Sequence, residues 1–156
     1  MDEYHTIEVI SIPNLFLAKD NIDKDNTLVI QIQHTGKNEY DIIKLKKAKV
    51  IGLEFDDVYK GKDGFITPYQ VGYVYGLGIG LSLRKNPLRV IVSCYGGLSR
   101  SPAIASALYI ILFKETKDSY YGFRSCDIRD CYQHQNTDIL SEIDRLLNNK
   151  DNEEDI

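Results

Sequence analysis

The sequence has little of what would send it into or across a membrane. Its longest mostly apolar run, Val71 to Leu83, covers 13 residues, short of the roughly 20 that a bilayer-spanning helix needs. The first residues, Met1-Asp2-Glu3-Tyr4-His5, lack a basic stretch leading into an apolar core, so no secretory signal is expected. Cysteine is scarce as well. The three present, Cys94, Cys126 and Cys131, are too few and odd in number for a secreted disulfide framework. A reducing, cytoplasmic setting is the expectation, and it would keep a reactive thiol alive. Nor is there an excess of positive charge. With 19 Lys and Arg against 23 Asp and Glu the net charge is −4, which argues against nucleic-acid binding by bulk electrostatics. Lys44, Lys46, Lys47 and Lys49 read as a solvated face rather than a groove. A dinucleotide fingerprint is missing too, because Leu81 and Leu83 occupy the third-glycine positions after Gly76 and Gly78. Gly72, Gly76 and Gly80 instead fall on one helix face, where close helix packing is expected.

What is present is ordinary globular material, 43% hydrophobic and 27% charged over 156 residues, near the size of one domain. The β-branched runs Thr6 to Ile12, Thr27 to Ile32, Val50 to Phe55 and Arg89 to Ser93 are bounded by polar and turn residues. They read as buried strands of a largely parallel sheet. Thr67 followed by Pro68 predicts a helix start running towards Lys85, closed by Asn86-Pro87. Ser101-Pro102 opens a second helix to about Phe113, apolar nearly all round and so expected in the interior. A third is expected from about Thr137 to Asn148. The expected fold is one α/β domain over residues 1–150, with a mostly parallel sheet of four to five strands flanked by helices. The acidic residues 151–156 are expected as a disordered tail.

One segment carries chemistry: Cys94-Tyr95-Gly96-Gly97-Leu98-Ser99-Arg100-Ser101. A strand delivers Cys94 to a tight loop, and a helix begins as the loop closes. Amide N–H groups and a helix N-terminus make such a loop an anion site. Gly96 and Gly97 let the backbone curl around a phosphate-sized object, which Tyr95, Leu98 and Ser99 would also line. Arg100 can grip two of its oxygens. A thiol in that field is favoured as the thiolate, a nucleophile in position for in-line attack on phosphorus. Ser101 could donate its hydroxyl proton to the sulfur as it leaves.

These residues match the C-x-x-G-x-S-R-S form of the C-x5-R loop: Cys94, Gly97, Ser99, Arg100 and Ser101 all fit. The segment resembles the signature loop of the protein tyrosine phosphatase superfamily, particularly the small dual-specificity phosphatases. The resemblance extends more loosely over residues 48–113. It implies a protein-tyrosine-phosphatase-like fold and hydrolysis of phosphate monoesters through a phosphocysteine, without metal or cofactor. It also implies a phosphorylated protein substrate, phosphotyrosine first and phosphoserine or phosphothreonine next. Where most of the family has a histidine before the cysteine, this chain has Ser93.

A leaving alkoxide or phenolate needs a proton, so a carboxylic acid should approach from a neighbouring loop. The strand Val50 to Phe55 ends in Asp56-Asp57, and Asp57 lies 37 residues before Cys94. The family resemblance favours Asp57, one step further past the strand. Asp56 is the alternative, and Asp63, beside Gly64, is a third candidate that reads more as a turn former. Lys60 and Lys62 on the same loop could attract an anionic substrate.

Cys126, Cys131 and His134 are spaced C-x4-C-x2-H but lack a fourth zinc ligand at recognisable spacing, so they are expected as loop or core residues. Two other readings compete with the enzyme. One is a pseudophosphatase that binds phosphate without turnover, motivated by Ser93. The other is a redox-sensing thiol protein, which would need a partner cysteine near Cys94.

Overall fold

The computed structural model describes residues 5–115, 122–123 and 136–154. The β-branched runs form strands as expected, within a residue or so at each end. β1 is Thr6–Ser11, β2 Thr27–Gln33, β3 Lys49–Glu54 and β4 Arg89–Cys94, with a two-residue β5 at Gly122–Phe123. All pair in parallel, in the order β3-β2-β4-β1-β5. β4 is therefore central, and its register sets Cys94 beside Ser11 of β1. Parallel pairing also brings the carboxyl ends of β1 to β4 to one edge of the sheet, where ligands of such sheets bind.

Helices cover both faces. β1 stops one residue early because Ser11 caps a helix: its hydroxyl accepts the Asn14 N–H, and Pro13 sits in the first turn, where its missing N–H costs nothing. The short helices α1, Ile12–Leu17, and α2, Lys19–Ile22, follow. Leu15 and Ile22 bury against Val29 and Ile91 of the sheet and against Ile43 from the segment between β2 and β3. On the other face lie α3 at Pro68–Ser82, α4 at Arg100–Glu115 and α5 at Thr137–Glu154. Thr67 and Gln70 form a full capping box at the start of α3. That helix ends at Ser82 rather than near Lys85. α5 continues through the acidic stretch to Glu154.

α4 is as interior as its composition implies. Ala103, Ile104, Ala105, Ala107, Leu108, Ile111 and Leu112 are buried, between β1 and β4 on one side and α3 and α5 on the other. The expectation for the α3 glycines is corrected. Gly72, Gly76 and Gly80 are exposed and face open space. The close approach is at Gly78, where an added Cβ would stand 2.6 Å from Ile111 Cγ2. The buried face of α3 is set by Val71, Val74, Gly78 and Leu81, and a spacing of four from Gly72 runs along the opposite side. Among the described residues, no helix is long and apolar enough to cross a membrane.

Candidate active site

Val90, Val92 and Cys94 share one face of β4 and pack into the core beneath α4, so the thiol leaves a rigid strand rather than a loop. Its Sγ lies 3.1 Å from Ser101 Oγ in the first turn of α4, and both residues are buried. Between them the chain turns through residues 95–99. Gly97 makes the turn, with φ at +68°, a region that costs other residues strain. Its lack of a side chain is needed twice over, since a Cβ there would stand 2.8 Å from the Ser11 backbone N. The loop thus leans on the β1–α1 junction. Tyr95, Gly96 and Leu98 are exposed, and Ser99 is half-buried. The Ser99 carbonyl accepts the Ala103 N–H at 3.3 Å, joining the loop to the helix.

Arg100 folds back across the strand ends. It is only 4% exposed. Its Nη1 donates to the Phe55 carbonyl at 3.0 Å, just past β3. The same nitrogen lies 3.4 Å from His34 Nδ1, just past β2, where the guanidinium can only donate and the imidazole accepts. Arg100, His34, Lys37 and Tyr95 line a cavity of about 310 Å³ floored by Ile12 and Ile32. The Tyr95 hydroxyl donates to Glu39 Oε2 at 3.2 Å across it. Cys94, 2% exposed, does not line this cavity.

The two neighbouring aspartates have different work. Asp56 is tied down: Thr35 donates to it from its backbone N at 2.8 Å and from Oγ1 at 2.6 Å. The Asp56 N–H is bonded to the Gly64 carbonyl at 2.7 Å. The Thr35 hydrogen bonds, hydroxyl first, hold the Asp56 carboxyl below its ordinary range, with His34 and Arg100 adding smaller electrostatic contributions. A carboxylate so held is a poor proton donor. Asp57 is exposed and turns the other way, to the loop after β4. Ser99 Oγ donates to Asp57 Oδ1 at 2.7 Å, and Asn136 Nδ2 donates to the same oxygen at 2.8 Å. Among the described residues Oδ2 carries no hydrogen bond, which leaves it available for a proton.

No protein-family model, curated protein or solved structure matches this chain.

The site's reading therefore rests on its geometry. The structure brings Cys94, Ser99, Arg100, Ser101 and Asp57 to one end of the sheet, and Asp63 is exposed on the loop after β3. Ser93, where the resembled family has histidine, is fully buried, and among the described residues its hydroxyl has no partner. It alternates with Cys94 along β4 and so faces the α1 side of the sheet. Cys126, Cys131 and His134 lie outside the described residues.

Two contributors went unnoticed in the sequence, His34 and Asn136. The rule that parallel-strand carboxyl ends carry sites would have flagged His34, the first residue after β2. Asn136 was legible only as an Asn directly before a helix, an ordinary N-cap signal.

Proposed function

We propose that this chain hydrolyses phosphate monoesters through a phosphocysteine on Cys94, as a cysteine-dependent tyrosine or dual-specificity phosphatase. The observation that carries the reading is the convergence at one strand end: a thiol 3.1 Å from the Ser101 hydroxyl, a glycine-turned loop opening a helix, Arg100, and Asp57 held to that loop through Ser99. In the first step the thiolate attacks phosphorus. The P–S bond forms, the ester P–O bond breaks, and the leaving oxygen takes the proton from Asp57 Oδ2. In the second, water attacks phosphorus and gives a proton to Asp57. The P–S bond breaks and the sulfur leaves as thiolate, stabilised by the Ser101 hydroxyl. Loop amides and Arg100 would hold the equatorial oxygens throughout. Phosphotyrosine in protein is the first substrate class on resemblance, then phosphoserine and phosphothreonine. The reading needs a reducing compartment such as the cytoplasm.

A second reading is favoured by two observations, the 2% exposure of Cys94 and a Ser93 hydroxyl with no partner among the described residues. It makes the chain a phosphate-binding module without turnover. One assay separates them. Under the first reading, purified protein hydrolyses an aryl phosphate in the presence of chelator, and Cys94→Ser abolishes this while retaining vanadate binding. Vanadate binding without any turnover by the natural chain supports the second. Turnover by the serine variant, or dependence on added metal, counts against the mechanism.

A further inference from the structure

Beyond the loop after β4 and the proposed acid, one residue joins the segments that carry them. Asn136 stands directly before α5 and bonds to three separate segments. Its backbone N–H donates to the Ser99 carbonyl at 3.0 Å, in the signature loop. Its Nδ2 donates to Asp57 Oδ1 at 2.8 Å and to the Val58 carbonyl at 3.1 Å, both in the acid loop. Its Oδ1 accepts the Ile139 N–H at 3.1 Å, capping α5. The cap alone would be served equally well by serine or aspartate. Only a side-chain amide offers an acceptor to the helix and donors to the loop at once.

The rest of α5's first two turns continues the same attachment. Lys60, on the acid loop, donates its backbone N–H to Asp138 Oδ2 at 2.9 Å. Its Nζ lies 3.0 Å from Glu142 Oε2. The acid loop is therefore docked onto α5, and Asn136 is the point where that docking reaches the signature loop.

We infer that Asn136 is a positioning residue for the general acid: through its side-chain amide it fixes the Asp57 carboxyl at the mouth of the signature loop, with Oδ2 left to carry the transferred proton. The inference rests on the proposed hydrolase reading. Both donors on Asp57 converge on Oδ1, from Ser99 and from Asn136, so the carboxyl is oriented from the loop after β4 and from the start of α5. Losing the amide would leave Ser99 as its one remaining anchor. A misplacement of the acid would then slow protonation of the leaving group while leaving attack by the thiolate untouched.

That separation gives the test. kcat/KM, which reports the first chemical step, is measured for aryl phosphates whose phenols span poor to very good leaving groups. The variants compared are the natural chain, Asn136→Ser, Asp57→Asn and the double variant. Asn136→Ser keeps the cap and loses the amide donors. It is expected to lose on the order of tenfold with the poorest leaving group and almost nothing with the best, which needs no proton. In the Asp57→Asn background the same change is expected to cost nothing further. Asn136→Thr, which also keeps a cap acceptor and lacks the amide without adding charge beside Asp57, is to show the same dependence and covers the case in which the serine variant does not fold. An equal loss across all leaving groups, or an undiminished loss without Asp57, overturns the inference and leaves the hydrolase reading standing. So does unchanged activity of both variants. Absence of turnover by the natural chain overturns both.

Discussion

Asp56 and Asp57 are adjacent and chemically identical, yet they cannot share a role. Asp56 is spent on Thr35, which fixes the segment after β2 against the segment after β3. Asp57 is spent on Ser99 in the loop after β4 and on Asn136. Asp57→Asn is expected to lower turnover of a poor leaving group about 100-fold or more. Asp56→Asn is expected to act on stability instead, because it replaces a carboxylate that accepts two hydrogen bonds, and to leave the leaving-group dependence of the rate in place. Steady-state kinetics beside thermal unfolding of the two variants checks this, and a reversed pattern would move the acid to Asp56. The sequence put these two ahead of Asp63 because both stand at the strand's end. It could not separate them, since which way each carboxyl turns depends on Thr35, Ser99 and Asn136, residues 21, 42 and 79 positions distant from their partners.

At the scale of elements, the strands, the long helices and the interior place of α4 were legible, and the buried face of α3 was not. Alternating and β-branched runs are local signals, and the capping box at Thr67 and Gln70 is a local one too. The glycines of α3 show where such reasoning stops. A four-residue spacing names a helix face but not the face that is buried, and here the core lies on the side of Val71, Val74 and Gly78. The short helices α1 and α2 were missed because Ile12 and Pro13 follow the strand without a break, so strand pattern and helix start overlap. Two substitutions test the corrected packing. Gly78→Ala drives a methyl into Ile111 and is expected to destabilise by roughly 1–3 kcal/mol. Gly76→Ala, which meets nothing within 4 Å, is expected to stabilise by about 0.5–1 kcal/mol on helix propensity. Denaturant unfolding of the pair measures both, and equal effects would contradict the assigned face.

Over the whole molecule the sheet has two edges with different tasks. The carboxyl edge gathers the site. The amino edge is locked by His5, whose Nδ1 accepts the Leu88 N–H at 2.9 Å and whose Nε2 donates to the Leu81 carbonyl at 2.9 Å, tying β1 to α3 and to the start of β4. Burial, the largest cause, holds the His5 imidazole below its ordinary 6.5, with nearby Arg84 acting the same way. Because the folded value is depressed, the stabilisation is complete above about 6.5 and is lost as pH falls from there towards the folded value. A second loss is expected in stronger acid from Asp23, whose carboxylate accepts N–H groups from Ala48, Lys46 and Lys47 and is held at about 2 rather than 3.8. Its contribution is present above 3.8 and disappears as pH falls to about 2. Thermal midpoints between about pH 8 and about pH 5 are expected to fall for the natural chain and to change less for His5→Gln. Equal slopes would remove His5 from the account.

Passage of phosphate through the sulfur of Cys94, as proposed, can be observed directly. An aryl phosphate labelled in its phosphoryl group is mixed with the protein, quenched in alkaline detergent during turnover, and the protein is digested and mapped under alkaline conditions. The account predicts label on the peptide holding Cys94, bound to sulfur, and none in Cys94→Ser. Turnover with the label on any other residue, or with no covalent phosphate formed at all, would contradict it.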